Sequence, residues 1–554
     1  MKIYKKISLY INTIKFLRFS QISHRLFLKI PKYYKSAKKK PFPNIRLGNS
    51  PLVKPLIYPK SIVAKDKFIF LNRQIHDDPS NLWNNPDLPK LWLYNLHYFN
   101  DLKSLDSPYT DIIIEETLNT WINDNPFGYG IGWEPYPLSI RIVNIIKWQA
   151  SKKIDTSSNL IKSLVMQIRY LERNIEYHLK GNHLFSNAKA LIFAGYFFEG
   201  DEALSWIKKG MKILESEMIE QILDDGGHYE RSTMYHALAL EDLLDLENIM
   251  NSCPKIFKHH ESFVIDMPNI IDNMIFWLKG MTHPDGGISF FNDAAFNIAA
   301  STEDLFSYAS RLNHRAPDSL EEIIHFKDSG YIRVSTSDIS LFLDVAPIGP
   351  CYLPAHAHAD SLSYEFSFKK QRIVVNSGTS LYESGKSRDY ERGTASHSTL
   401  EIDSENSSEV WHSFRVAKRA KIFDISIKRY DECIEISAKH DGYLRFKKGT
   451  IHKRKWIIGQ NSLEIIDTIN GRYTNAVSRH YLHPDLAISD NDEDRTITHK
   501  NFKNICWNTQ SKIVSIKPSK WHPEFGVGIK NKYIDIKINS NSKNPKCNLI
   551  FTLD

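Results

Sequence analysis

No two of the five cysteines stand in a CxxC spacing, and their number is odd (Cys253, Cys351, Cys433, Cys506, Cys547). That pattern argues against a disulfide framework and against a thiolate zinc site. No run of about 20 predominantly apolar residues occurs, so no membrane-spanning helix is expected. Near the start, Asn12, Thr13 and Lys15 interrupt the apolar stretch and no small-residue cleavage site follows. A secretory signal is therefore not expected, and the expectation is a cytoplasmic protein. There is no GxxxxGK[ST], no GxGxxG after a strand and no GxSxG, which speaks against nucleotide cofactors and a serine-hydrolase elbow.

Acid is also missing where base is plentiful. Residues 1–65 contain 16 Lys or Arg and no Asp or Glu; the first acid is Asp66. With a formal net charge of +8 overall, the remainder carries −8. Within this arm Ile11, Ile14, Phe16, Leu17, Ile22, Leu26 and Leu28 alternate with cations, as in a basic amphipathic helix. Two readings stand. The arm lies on an anionic membrane surface, at its inner face, or it packs back on the body with a solvated basic side. No zinc finger, helix-turn-helix or RNP-like motif accompanies it, so nucleic acid is not an expected partner.

Residues 41–65 carry five prolines and read as a connector, so 1–65 is taken as arm plus connector. From there to residue 325 the apolar period is helical: 137–150, 160–179, 187–198, 203–223 and 235–250 each repeat at i, i+3, i+4. Near 326 the period becomes two, with Gly, Asn and Asp breaks, through to 554. Helices followed by strands imply an α+β multidomain chain. Residues 66–325 would form an array or toroid of antiparallel helices, and 326–554 an antiparallel β-sandwich.

Five stretches carry candidate chemistry. "GNHLFSNAKAL" sets Asn182 and His183 at a helix start, where Asn is also an ordinary N-cap. "DDGGHYERSTMYHALAL" crowds Glu230, Arg231 and Tyr235 before or inside a helix. "LPAHAHADS" places His356 and His358 two apart; on a strand both would share a face. Asn376 follows the next strand and His397 opens another. Two imidazoles and an amide oxygen are a possible zinc set. "PFGYGIGWEPYP", with Trp133 and Glu134, would line a sugar cleft or form a structural turn. "HPDGGISFFNDAA" reads the same way.

In this order the motifs resemble the heparinase II/III-like polysaccharide lyases, across roughly residues 85–480. The resemblance implies an (α/α) toroid followed by an antiparallel β-sandwich, and β-elimination at a uronic acid in an anionic polysaccharide. It implies roles as well. Asn182 and His183 would bind the carboxylate, Tyr235 would be general acid with the base role also open to it, and His356 would be the partner base or would complete carboxylate binding. Arg231 would be a cation near the cleft. On residue type and loop position, not on the resemblance, Trp133, Glu134 and Arg392 are further substrate-binding candidates. His358, Asn376 and His397 would hold a structural zinc, although Asn376 stands where metal-binding relatives have aspartate. No cofactor is needed for the chemistry. The basic arm suggests work on capsule, O-antigen or exopolysaccharide. Two rivals remain open: a glycoside hydrolase or transferase on the same scaffold, using carboxylates among Glu134, Asp225, Glu230 and Asp293, and a non-catalytic glycan binder. Arg141, Arg231, Arg388 and Arg392 are the cations expected to attract substrate.

Overall fold

The structure is a computed structural model and describes residues 2–27, 40–103, 108–150, 159–447, 449–489, 495–500, 502–539 and 545–553. Leu28 and the lysines up to Lys39 lie outside the described residues. No helix among the described residues is long and apolar enough to cross a membrane.

The arm forms two helices, α1 (Lys2–Ile14) and α2 (Phe19–Phe27). A small antiparallel sheet follows, Ile62–Ala64, Lys67–Phe70 and Arg73–His76, which the proline-rich composition did not suggest. The helical part then runs through α3 (Lys90–Tyr98), α4 (Pro108–Asp124), α5 (Pro135–Ala150), α6 (Asn159–Arg173), α7 (Gly181–Phe197), α8 (Asp201–Gln221), α9 (Thr233–Ser252), α10 (Glu261–Gly280) and α11 (Thr302–Arg311). α7 is the hub, packed against α5, α6, α8 and α9. Its small and apolar residues make it buried nearly all round. Helices α7 and α8 meet at glycines: a Cβ on Gly195 would lie 2.3 Å from Ile207, and one on Gly210 2.7 Å from Ile192. The helix expected over 160–179 stops at Arg173, where the Asn174 side chain donates back to the Tyr170 carbonyl.

Strands begin at Ile323. A five-stranded antiparallel meander (Ile323–Phe326, Tyr331–Ser335, Ile339–Asp344, Tyr364–Phe368, Gln371–Val374) comes first. Its central strands are buried on both faces because Phe342 packs with Trp277, Met281 and Phe291 of the helical part, while Leu341 and Leu343 join the sandwich core. An eight-stranded and a four-stranded antiparallel sheet complete the sandwich. Strands Thr450–Gly459 and Ser462–Gly471 alternate buried and half-buried residues, as a sheet with one covered face requires. The architecture is an α/α toroid plus β-sandwich.

Candidate active site

A cavity of about 1620 Å³ opens along the helical and β parts, and Asn182, His183, Glu230, Tyr235, His356 and Tyr382 all line it. The turn into α7 uses two successive left-handed residues, Lys180 (φ 62°) and Gly181 (φ 60°). Only glycine fits at 181, because a Cβ there would sit 2.6 Å from Leu353 and 2.9 Å from a Glu230 oxygen. Asn182 then hydrogen-bonds Tyr136. The His183 ring packs on Tyr136 at 4.4 Å, and its Nδ1 lies 3.2 Å from Glu176.

Tyr235 sits in the first turn of α9. Ser232 caps that helix: its hydroxyl accepts the Tyr235 N–H at 3.2 Å and donates to the Asp293 carbonyl at 2.5 Å. The phenol oxygen pairs with that of Tyr382 at 3.0 Å, and the ring lies 4.0 Å from the His356 ring. Burial raises the Tyr235 phenol well above its ordinary value, so the hydroxyl keeps its proton.

His356 and His358 lie in a loop, not on a strand as the spacing suggested. Asp293 separates their roles. It takes His356 Nδ1 at 2.9 Å on one oxygen and His358 Nε2 at 2.8 Å on the other. His356 Nε2 is left facing the cavity, 3.8 Å from Glu230. Arg388 makes a two-pronged pair with the same carboxylate. Burial opposes the Asp293 charge, but Arg388 and the two imidazoles outweigh it and hold the carboxyl well below the usual range. Glu230 is the reverse case. It is 2% exposed, neither oxygen meets a hydrogen-bond donor, and burial pushes its carboxyl up.

The expected substrate cations are elsewhere. The Arg231 guanidinium, on a residue with φ 59°, donates to the carbonyls of Tyr229, Asp328 and Ser329, so it ties the two parts of the chain together. Arg392 donates to the Ala357 and His412 carbonyls and holds the histidine loop. Arg141 is spent on Gln167 and on the carbonyls of His97 and Gly132, and Arg388 on Asp293. Trp133 borders the cavity but is buried: its indole N–H donates to the Asn125 carbonyl, and its ring packs among Trp121, Phe127 and Tyr170. Glu134 lines the cavity but is held by Tyr94 and Lys90. Asp225 caps a turn through Gly227, Asp328 and Ser329. Of the four carboxylates available to a hydrolase, only Glu230 has both oxygens without a hydrogen-bond partner.

Residues 107–314 match the heparinase II/III N-terminus, and residues 318–549 the heparinase II/III-like C-terminal region. The chain belongs to the heparinase II/III-like family. Among relatives, a heparin-sulfate lyase of Bacteroides stercoris is 23% identical over 372 residues, covering 62% of this chain and 52% of its own. A heparin-sulfate lyase of Pedobacter heparinus is 24% identical over 322 residues, covering 52% and 47%. The chain thus spans about half the length of these two relatives. The FtsZ-localized protein C of Caulobacter vibrioides is 24% identical over 436 residues, covering 73% and 71%. A crystal structure of heparinase III superposes with a TM-score of 0.68 at 17% identity, over 85% of this chain and 79% of that one.

The zinc set that family resemblance implied does come together, but as a hydrogen-bonded cluster. His358 Nδ1 lies 3.2 Å from His397 Nε2, and His397 Nδ1 3.4 Å from the Asn376 oxygen. The Asn376 amide nitrogen donates to the Phe290 carbonyl, and His358 Nε2 is engaged by Asp293. The third member is a neutral amide, a poorer zinc ligand than a carboxylate. Among the described residues no group of three or more His, Cys, Asp or Glu is arranged to hold a metal. The arrangement gives the zinc expectation no support. Sequence reasoning also missed Tyr382, six residues after Asn376. Arg419 was missed too: it lines the cavity with its guanidinium 3.9 Å over Phe16.

Proposed function

We propose that this protein is a polysaccharide lyase that cleaves a uronate-containing anionic glycan by β-elimination. The observation that carries the reading is the contact of Tyr235 with His356 in the cavity that Asn182 also lines. Its family membership and the lyase names of its relatives support it.

In the proposed sequence, Asp293 holds the Nδ1 proton of His356, leaving Nε2 as base toward the uronate C5. The C5–H bond breaks, and the electron pair delocalises into the adjacent carboxylate. Asn182, His183 and a protonated Glu230 steady that charge by donating hydrogen bonds. The C4–O4 bond then breaks, the C4=C5 double bond forms, and the Tyr235 hydroxyl gives its proton to the departing O4. Tyr382 keeps the Tyr235 hydroxyl oriented. Cations for the polymer are Arg25, Arg415 and Arg419 at the cavity wall. A role in capsule, O-antigen or exopolysaccharide metabolism belongs to the same proposal, supported by the basic arm.

The test is incubation with a panel of uronate glycans, heparan sulfate and alginate among them, while following the ultraviolet absorbance of the unsaturated uronate. Absorbance should rise with chain shortening, and Tyr235→Phe should abolish it. Shortening without absorbance would establish a hydrolase instead. Binding without shortening would establish a carbohydrate-binding protein.

A further inference from the structure

We propose that the outward face of α1 and α2 is a docking surface for an anionic lipid bilayer. The inward face is accounted for. The Thr13 hydroxyl accepts the Trp411 indole N–H at 3.1 Å and lies 3.3 Å from the Val416 carbonyl. Tyr10 packs edge-on to Trp411 at 5.0 Å. Arg18 stacks over Tyr352 at 3.9 Å and pairs with Glu220 of α8. The two helices are therefore fastened to both the β part and the helical part.

The outward face is apolar and exposed to solvent over much of its area. Tyr4 is 80% exposed, Ile7 50%, Ile11 60% and Ile14 51%. At about 100° per residue these four fall within an arc of roughly 80° on α1. On α2, Phe19 at 83% and Leu26 at 63% continue it. Among the described residues 25 large hydrophobic side chains are exposed, and eight of them lie between residues 4 and 26. Singly scattered apolar side chains need no explanation, but such a concentration marks a contact surface.

The charge selects the occupant. Lys6 on α1 and Lys15 in the turn that follows it are exposed, and no acid occurs before Asp66. Apolar side chains entering the acyl boundary with cations at the headgroups is the arrangement of an interfacial helix on anionic lipid. The cellular location that follows is the inner, anionic face of the membrane. Because Thr13, Phe16, Leu17 and Gln21 also line the cavity, the bilayer would lie beside its mouth. This inference rests on the arm and not on the lyase reading, so either can fail alone.

The experiment is flotation of the full chain with vesicles of phosphatidylcholine alone, or mixed with phosphatidylglycerol. The protein should float with the mixed vesicles at low salt and stay behind with phosphatidylcholine alone. Ile7→Asp/Ile11→Asp, at exposed positions away from the cavity, should lower the bound fraction about tenfold or more with an unchanged thermal melt. Lys6→Gln/Lys15→Gln should weaken binding and flatten its salt dependence. No flotation of the wild type, or equal flotation of all variants, would overturn the proposal. Light scattering supplies the other arm: a dimer that Ile7→Asp/Ile11→Asp dissolves, without lipid binding, would assign the stripe to a second copy of the chain.

Discussion

Tyr235 and His356 are in ring contact, with a hydroxyl that burial keeps protonated beside an imidazole that Asp293 orients. Replacing Tyr235 by Phe removes the proton donor and leaves the packing, so kcat should fall about 10²- to 10⁴-fold with little change in the melt. Asp293→Asn acts on two properties at once. It leaves the buried Arg388 charge uncompensated, which should cost about 3–5 kcal/mol in a denaturant titration. It also turns one of the two acceptor oxygens into a donor, so the His356 and His358 rings can no longer both be held in their present tautomers, and the surviving folded enzyme should be slow. Glu230 yields a pH test. In the proposed mechanism its raised carboxyl acts while protonated, so activity should be lost as pH rises through its folded value. Glu230→Gln keeps a donor that does not titrate, and kcat/KM should lose that alkaline decline. Glu230→Ala should be slow at every pH.

At the scale of elements, the site depends on how two helices start. Ser232 holds the first turn of α9 to the Asp293 segment. Ser232→Ala should cost about 1 kcal/mol as a lost cap, and should lower kcat further by freeing Tyr235 from its register with His356. Thermal melts alongside single-substrate kinetics separate the two effects. The helical and strand elements were legible beforehand, since each carries its own period of apolar residues. The histidine loop was not. His356 and His358 are spaced as on a strand, but the backbone there answers to Asn292 and Asp293, whose groups take the His358 N–H and both rings. Such contacts leave no trace in local spacing.

Across the whole molecule, burial has stripped four histidines of their usual basicity. His97, His228, His236 and His480 are each lowered to about 3, chiefly by burial. Their unfolded counterparts take up protons below about 6.5. Acidification therefore favours the unfolded chain between about 6.5 and 3. Asp293 and Asp467 act in the same direction: both are held low by buried arginine and histidine partners, so the stability they contribute is present above the ordinary carboxylate range and is lost as pH falls through their depressed values. The melting temperature should drop on going from pH 7 to pH 5, with proton uptake on unfolding. Calorimetry in buffers of different ionisation enthalpy would measure it.

The residues alone determined the order of helices before strands, the two apolar periods, the basic arm, and the set of side-chain types on which the proposed β-elimination draws. Each is a local or compositional property. Tertiary structure decided which of those side chains are free to act. Arg231, Arg392, Arg141 and Arg388 look like substrate cations in sequence, yet each is satisfied by groups from other segments. Asn376, His358 and His397 look like ligands and instead bond to one another and to Asp293. A buried polar group must find its partner wherever the fold supplies one, and that partner stands up to about a hundred residues away.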